Sequence, residues 1–343
     1  MLRPRTVFVV GAGASNEVEI PIGPKLRDEI GGRLDIFFEH GFQQTRGDTA
    51  IVEALRSHVK HLGQRDINSH LHAGWRIRDA MRQASSFDQV LDSHAGNTEL
   101  ELCGKLAITI SILEAERNCD MFVNKREGEE SFDFRAIEKT WFTRLGRLLV
   151  DGVNIKDIDA IFEEVAFIVF NYDRCLEHYL FHFLKLYYGV DSAKAIEVVS
   201  SAKIFHPYGR VGHLEWQAAE PSTPFGGTAT RSLLDLASQI RTFTERVEDG
   251  DELNQMRLTM RQASTVVFLG FGYHRQNPEL IDPIGKTKIE HVVGTGVAIS
   301  DPDRAIIVQE LAGLLASGVE RIVAIEPVEC ARFLDDNLRL LSK

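Results

Sequence analysis

Two glycines and a serine follow the first apolar run of the chain at a spacing typical of phosphate-binding turns. The run Val7–Val10 has the composition of a buried strand, and the segment Gly-Ala-Gly-Ala-Ser comes directly after it. The missing glycine side chains let backbone N–H groups approach a pyrophosphate, and the serine hydroxyl adds a donor. We therefore predict that Gly11, Ala12, Gly13 and Ser15 form a pyrophosphate site.

A structural turn explains the same glycines as well as a nucleotide site does. Many tight turns between a strand and a helix use glycine because it tolerates positive φ. The usual dinucleotide fingerprint also has a third glycine three residues after the second, where this chain has Asn16. The turn by itself leaves both interpretations open.

Two further strand ends carry polar side chains. In "FNYD", Asn171 and Asp173 follow a second buried run, and in "HPYG", His206 follows a short third one. Open α/β sheets bind ligands just beyond the carboxyl ends of their strands. Asp173 is also expected to cap the following helix, an explanation that Asn171 lacks. His206 is either a proton acceptor or an ordinary hydrogen-bonded histidine, one of 12 in the chain.

Glycines recur at two later strand ends. Gly270 and Gly272 stand in "FLGFGY", and Gly294 and Thr295 stand in "VVGTG". We predict that these four residues line the adenosine side of a nucleotide site. One glycine turn at a strand end is routine, but three of them beside Asn-x-Asp and His favour a nucleotide site.

The elements that must position these residues alternate between buried strands and amphipathic helices. Runs that predict strands are "TVFVV", "VAFIVFNYD", "AKIFHPYG", "STVVFLGFG", "IEHVVGTGVAIS" and "VERIVAIEP". Most of these runs are apolar at successive positions, which is typical of strands covered on both faces. The alternation predicts a Rossmann-like α/β fold, with a parallel sheet and helices on both of its faces.

A long helical stretch interrupts this alternation. Between residues 31 and 152 apolar residues recur at three- and four-residue spacing, as in "FRAIEKTWFTRLGRLLVDG". We predict one Rossmann-like domain from residues 1–30 and 153–343, with a helical insertion at 31–152. The insertion either covers the sheet, which is the default use of amphipathic helices, or offers a surface for self-association or a partner.

Composition excludes several classes of function. The formal net charge of −11 argues against a sequence-independent grip on nucleic acid. No apolar run approaches the roughly 20 residues of a membrane helix, and the apolar N-terminal run is interpreted as a strand rather than a secretion signal. We therefore expect a cytoplasmic protein. The four cysteines form no Cys-x-x-Cys pair, so neither a zinc site nor a disulfide framework is expected.

Taken in order, these motifs resemble those of the sirtuin family. Sirtuins carry Gly-Ala-Gly-x-Ser, Ile-Pro, Gln-Asn-x-Asp, His-Gly and a Gly-Thr-Ser turn. Here "GAGAS" is followed by Ile20-Pro21, "FNYD" and "HPYG" stand in place of the next two motifs, and "LGFGY" stands in place of the last. The resemblance is closest to the prokaryotic sirtuin-like domains of antiphage defence systems. The segment "SSFDQVLDSH", Ser85–His94, is similar to one in their helical insertion.

The chain departs from the sirtuin deacylases at two places. After Ile20-Pro21 it has Ile22-Gly23-Pro24, where deacylases have Asp-Phe-Arg. The interval Arg210–Leu269, which corresponds to their four-cysteine zinc module, contains no cysteine. That module helps to form the acyl-lysine cleft, so its absence makes protein deacylation a minor hypothesis. We expect no metal.

The resemblance implies an NAD glycohydrolase, which cleaves NAD to nicotinamide and ADP-ribose and depletes NAD during antiphage defence. NAD is the substrate. Asn171 is then expected to hold water or a ribose hydroxyl, His206 to accept a proton, and Asp173 to bind the nicotinamide carboxamide or hold its loop. The resemblance also implies a homo-oligomer and a possible HerA-type ATPase partner.

Two alternatives stay open. One is a regulatory subunit of a defence complex that binds NAD or ADP-ribose without turnover. The other, less favoured, is an NAD-dependent deacylase or ADP-ribosyltransferase.

Overall fold

Six parallel strands form the main sheet of the computed structural model, which describes residues 2–84, 87–123, 132–228, 233–241, 245, 250–274, 276–315 and 322–342. A separate antiparallel hairpin supplies two more strands. The strands in chain order are β1 (Thr6–Val10), β2 (Phe37–Glu39), β3 (Gln43–Arg46), β4 (Val165–Val169), β5 (Lys203–Phe205), β6 (Thr265–Leu269), β7 (His291–Thr295) and β8 (Ile322–Glu326).

The strand order of the main sheet is that of the dinucleotide-binding folds. Across the sheet the strands run β5-β4-β1-β6-β7-β8. If the six strands are renumbered by their order along the chain, this becomes 3-2-1-4-5-6, the order of the Rossmann fold. The chain builds outward from β1 on one side, then returns and builds outward from β6 on the other. The reversal between β1 and β6 opens a crevice at the carboxyl edge, where such sheets bind their ligands.

Helices connect the strands. The α-helices are α1 (Ala12–Ser15), α2 (Gly23–Leu34), α3 (Thr49–His61), α4 (Asn68–Ala80), α5 (Phe87–Ser93), α6 (Thr98–Asn118), α7 (Trp141–Val150), α8 (Cys175–Tyr188), α9 (Ser192–Ser200), α10 (Leu233–Ala237), α11 (Gly250–Gln262), α12 (Gln276–Leu280), α13 (Asp301–Leu315), α14 (Cys330–Asp336) and α15 (Leu338–Leu341). None of the described helices combines the length and the apolar character that crossing a bilayer requires.

Helices cover both faces of the sheet, as the sequence predicts. All five residues of β1, β4 and β6 are buried, because alternate side chains enter two separate cores. Val7 and Val9 pack with α2, α3, α4 and α6, whereas Phe8 and Val10 pack with α7, α8 and α14. The α/β fold class predicted from the alternating pattern is therefore confirmed.

Two local predictions within the helical stretch are wrong. No strand is predicted between residues 31 and 152, yet the segment after α2 forms the β2–β3 hairpin, where Gly47 has positive φ and lies against Ile36 too closely for a side chain. The apolar pattern also predicts a helix from Phe134, but α7 begins at Trp141. The carboxylate of Glu17 accepts a hydrogen bond from the Trp141 N–H and so stabilises the helix start at that position.

A buried ion pair fastens the insertion to the sheet. Glu116 of α6 and Arg174, just after the carboxyl end of β4, are both fully buried and 2.6 Å apart. Arg174 also donates to the carbonyls of His213, Thr223 and Pro224. Every group of this pair therefore has a partner, which is the condition under which a buried pair is tolerated.

Candidate functional site

The glycine turn after β1 packs backbone against backbone on the turn after β6. The N–H of Gly11 donates to the carbonyl of Leu269, and the N–H of Gly13 donates to that of Gly270, each at 2.9 Å. A Cβ on Gly270, whose φ is +57°, would lie 1.9 Å from the amide nitrogen of Ala14. The contact between the two turns therefore requires these glycines, whatever ligand the site binds.

In the same packing, the backbone amides that the sequence predicts to bind a pyrophosphate form hydrogen bonds within the protein. Gly11 and Gly13 donate to the β6 turn, and the N–H of Ala14 donates to the carbonyl of Gly11 at 3.0 Å. These groups are not free for a phosphate in this arrangement, because β6 brings its carbonyls within hydrogen-bond distance. Ala12, the first residue of α1, is exposed, and within the described chain its N–H has no partner.

Asn171 joins the end of β4 to the glycine turn. Its Nδ2 donates to the carbonyl of Gly11 at 3.1 Å and to the hydroxyl oxygen of Ser15 at 2.7 Å. The Ser15 hydroxyl donates in turn to the carboxyl group of Asp173. The sequence offers no helix-capping role for Asn171, and the structure shows a different structural role, because its amide orders the glycine turn. Ser15 is likewise engaged within the protein.

Asp173 has two functions in this network. It accepts a hydrogen bond from the N–H of Cys175, the first residue of α8, at 3.1 Å, although the N-cap position itself is occupied by Arg174 and Asp173 lies one residue earlier than expected. Burial raises the pKa of its carboxyl group, and the nearby charge of Glu116 adds to the effect, whereas hydrogen bonds from Ser15 and Cys175 oppose it. A raised pKa means that this carboxyl group takes up a proton at higher pH than an exposed aspartate does.

His206 is buried beside Asn171, and both of its ring nitrogens face the protein. Its Nε2 lies 2.9 Å from Oε1 of Glu177, and its Nδ1 lies 3.4 Å from the backbone carbonyl of Asn171. Sequence analysis did not single out Glu177. A role for His206 as a base requires that the longer contact give way to a substrate or water, as loose contacts in empty sites do.

Glu177 forms the centre of a charged cluster. Its Oε1 accepts from His206 and also from Nη1 of Arg210, at 2.7 Å. Burial by itself would raise the pKa of Glu177, but the charge and hydrogen bond of His206, together with the charge of Arg210, outweigh it and lower this pKa to about 2. Glu177 is therefore ionised at neutral pH.

A cavity of about 230 Å³ opens at the carboxyl edge of β1, β4 and β6. It is slightly smaller than the roughly 300–1,000 Å³ that is usual for small-molecule sites. Five residues predicted for the site line it: Gly11, Ala12, Asn171, Asp173 and Gly272. The other predicted residues are not part of its lining, namely Gly13, Ser15, His206, Gly270, Gly294 and Thr295.

No protein-family model and no curated protein matches this chain.

Several residues that line the cavity are not among those predicted from the sequence. Ile20 and Pro21, noted only as part of the sirtuin resemblance, line it together with Arg27 of α2. Phe87, Ile108 and Ile112 close it from the insertion, and Phe170, Tyr172, Tyr208 and Phe271 add aromatic walls. Phe87 lies in the segment Ser85–His94, which the resemblance had marked. Arg27 carried no signal, because a single arginine on an amphipathic helix is ordinary.

Arg27 brings a positive charge to a mostly apolar cavity. Its Nη1 donates to the carbonyl of Ala84, and its buried Nε has no partner in the described part of the chain. A guanidinium has five N–H donors, so most of its capacity remains for a ligand.

Gly294 and Thr295 support the β6 turn from the side away from the cavity. The Thr295 hydroxyl accepts from the N–H of Gly270 at 2.8 Å. A Cβ on Gly294 would lie 2.6 Å from atoms of Phe268, so this glycine makes room for the neighbouring strand. Their predicted contact with adenosine finds no counterpart in the cavity lining, because β7 lies one strand beyond β6.

Glu17 fixes the short helix that follows the glycine turn. Its carboxylate accepts from the N–H of Trp141 at the start of α7 and from that of Ala331 in α14. The indole of Trp141 also donates to the carbonyl of Ala14 at 2.9 Å. Two helices from distant parts of the chain thus hold the turn in position.

The described residues contain no cluster of His, Cys, Asp and Glu arranged to hold a metal ion. The four cysteines are free and buried. The arrangement therefore offers an apolar cavity with an amide, a carboxyl group of raised pKa and a guanidinium on its wall, and a Glu–His pair adjoining it. Such a set can bind a planar ring next to an anion and transfer a proton.

Proposed function

We propose that the chain is an NAD glycohydrolase that binds NAD at the carboxyl edge between β1, β4 and β6. The observation that carries the proposal is the cavity at the strand-order reversal of a Rossmann-ordered sheet, with Asn171 and Asp173 on its wall. The sirtuin resemblance supplies the substrate and the reaction. The small volume of the cavity suits the nicotinamide end of the dinucleotide rather than all of it.

The reaction needs little covalent chemistry from the protein. The bond between C1′ and the nicotinamide nitrogen breaks, and its electron pair passes to that nitrogen, which thereby loses its positive charge. The water oxygen adds to C1′, and the water proton passes to His206. Asn171 holds the water or a ribose hydroxyl, and Asp173 recognises the carboxamide. The protein thus orients the bond, stabilises an oxocarbenium-like transition state and positions water.

Arg27 takes the place of the glycine-turn amides in balancing the pyrophosphate charge. The amides of Gly11 and Gly13 are bonded to the β6 turn, whereas the Arg27 guanidinium on the cavity wall keeps donors unused. The free N–H of Ala12 adds one backbone donor at the start of α1.

In the cell, the proposed role is depletion of NAD in the cytoplasm as an effector of antiphage defence. By the same resemblance, the active form is a homo-oligomer, and a HerA-type ATPase is its candidate partner. The net charge of −11 makes nucleic acid an unsuitable partner for the isolated chain.

The test is to incubate the purified protein with NAD and to follow nicotinamide and ADP-ribose by chromatography. Asn171→Ala and His206→Ala are expected to lower turnover on the order of 100- to 10,000-fold in folded protein. Asn118→Ala and His40→Ala change exposed residues of the same types and are the matched controls. Full activity in folded Asn171→Ala would remove the proposal.

A subunit that binds NAD or ADP-ribose without turnover is the second candidate. It is favoured by the position of His206, which does not line the cavity and contacts protein acceptors with both nitrogens. NAD binding seen by calorimetry without release of nicotinamide, both alone and with the ATPase partner, would select this candidate. Release that begins when the partner is added would instead identify a gated enzyme.

A further inference from the structure

Glu177 is buried where an unpaired carboxylate is costly, yet one of its oxygens has no partner. The side chain is 1 % exposed, and its Oε1 accepts from both His206 and Arg210. Its Oε2 is buried and has no hydrogen-bond partner in the described chain. A fold that needed this group for stability alone would be expected to satisfy both oxygens. The arrangement directs the carboxylate at the histidine instead.

The two ring nitrogens of His206 differ in their surroundings. At Nε2 an ionised carboxylate lies at 2.9 Å, a normal hydrogen-bond distance. At Nδ1 the neighbour is a backbone carbonyl at 3.4 Å, and a carbonyl can only accept. When Nε2 carries the proton, the lone pair of Nδ1 faces another acceptor and has no donor. A substrate hydroxyl or a water molecule supplies the donor that this position lacks.

We propose that Glu177 is a positioning residue that fixes the proton on Nε2 of His206 and thereby makes Nδ1 the base. This inference rests on the proposed NAD cleavage and extends it. The proton taken from water or a ribose hydroxyl goes to Nδ1, and the positive charge that then develops on the ring is stabilised by the Glu177 carboxylate. The same logic orients histidine bases in other hydrolases.

Groups of opposite charge near His206 allow the role of Glu177 to be tested. Arg210 shares Oε1 with His206, and its Nη2 lies 2.8 Å from Nδ1 of His213. Arg174 adds a further positive charge near His213. Glu177 therefore places a negative charge beside the His206 ring, whereas Arg210 places a positive charge on the same carboxylate oxygen. Removing Glu177 and removing Arg210 change the charge near the ring in opposite directions.

The experiment compares the pH dependence of NAD cleavage in the wild type, Glu177→Gln and Arg210→Ala. In Glu177→Gln, turnover is expected to fall on the order of 10- to 1,000-fold, and the acidic limb of the pH–rate curve to shift to lower pH by about one to three units. In Arg210→Ala the same limb is expected to shift to higher pH. A merely structural role would lower activity in both variants without moving the limbs in opposite directions.

A second measurement needs no variant of Glu177. In protein with isotope-labelled histidine rings, nitrogen–proton correlation NMR is expected to show the neutral form of His206 protonated at Nε2. The signal is assigned by its loss in His206→Asn. A neutral ring protonated at Nδ1 would overturn the inference, as would unchanged pH–rate curves in both variants.

The failures of the two proposals are distinguishable. If the wild type does not cleave NAD, either alone or with the ATPase partner, the function proposed above fails, and the NMR result alone decides whether Glu177 fixes the ring. If the wild type cleaves NAD and Glu177→Gln retains its rate and pH dependence, only the role of Glu177 is lost.

Discussion

The side-chain amide of Asn171 donates a 2.7 Å hydrogen bond to the hydroxyl oxygen of Ser15. Ser15 belongs to the turn after β1, and Asn171 follows β4, so this bond joins two strand ends at the carboxyl edge of the sheet. The Ser15 hydroxyl continues the chain to Asp173. Two motifs that lie more than 150 residues apart in the chain are thereby made into one wall of a cavity.

Ser15→Ala removes the acceptor of Asn171 and the donor to Asp173 at once. Because both partners are buried, the loss is expected to lower the free energy of unfolding by about 1–3 kcal/mol, measured by urea denaturation. Ser57→Ala removes an exposed hydroxyl of α3 and is expected to change this free energy by less than about 0.5 kcal/mol. Equal stability of the two variants would mean that the Ser15 network contributes nothing to the fold.

Gly270→Ala tests the contact between the two glycine turns. The added methyl group would lie 1.9 Å from the amide nitrogen of Ala14, and φ at this position is +57°. Thermal and urea unfolding are expected to show a loss of more than about 2 kcal/mol, because backbone and not a flexible side chain blocks the methyl group. Gly272→Ala meets only the His274 ring, at 3.4 Å, and is expected to be tolerated. A stable Gly270→Ala variant would contradict the close packing.

Arg27→Ala tests the source of positive charge in the cavity. Loss of charge-assisted hydrogen bonds to the pyrophosphate is expected to weaken NAD binding by about 10- to 100-fold, measured by calorimetry. Lys25→Ala, on the same helix but exposed and outside the cavity lining, is the control and is expected to bind normally. Unchanged affinity in Arg27→Ala would place the phosphates elsewhere.

Glu116→Gln leaves the Arg174 guanidinium buried without an ionised partner. Removing one member of such a pair is expected to cost about 3–5 kcal/mol of stability. Asp159→Asn breaks an exposed pair with Lys194 and is expected to cost less than about 1 kcal/mol. Because Glu116 lies in the insertion and Arg174 beside the sheet, fluorescence and circular dichroism should report one common transition. Two separate transitions would show that the insertion folds independently of the sheet.

Acid is expected to destabilise the protein through Glu177. Its pKa is lowered from 4.5 to about 2 in the folded chain, so its contribution is complete above about pH 4.5 and is lost as the pH falls towards 2. The stability difference between the wild type and Glu177→Gln should therefore shrink over this range in urea titrations. Asp173, whose pKa is raised, has the opposite slope but is present in both proteins and cancels. A difference that stays constant with pH would contradict the lowered pKa.

More of the fold than of the candidate site can be predicted from the sequence. The strands β1, β4 and β6 can be predicted because a strand buried on both faces is a continuous apolar run. The helices between them can be predicted because their apolar residues recur at three- and four-residue spacing. The start of α7 was misplaced because it depends on Glu17, which is distant in sequence. The β2–β3 hairpin was missed because the apolar residues of β2, Phe37 and Phe38, are consecutive and β3 is entirely polar, so neither short strand alternates.

The sequence motifs predict five of the residues that line the cavity, but they do not predict the partners of those residues. The sequence predicts ligand contacts for Gly11, Gly13 and Asn171. Their structural roles depend on β6 and Ser15, which the fold places beside them. In the sequence, Glu177 is an ordinary polar residue of an amphipathic helix. None of the residues next to it in the chain indicates a contact with His206. Pairings of this kind depend on where strands end in space, which a single sequence does not encode locally.

The central position of β1 has a consequence for how the protein is made. Its strand neighbours β4 and β6 come from residues 165–169 and 265–269, so β1 leaves the ribosome well before either of the strands with which it pairs. At common rates of synthesis, roughly 260 residues take about 13 to 52 seconds, during which the apolar edge of β1 has no sheet to join. The glycine turn, and with it any chemistry at the cavity, can form only when the later strands have emerged. A nascent or truncated chain that ends before β6 would therefore lack the packed glycine turn and the cavity beside it, and with them the proposed activity.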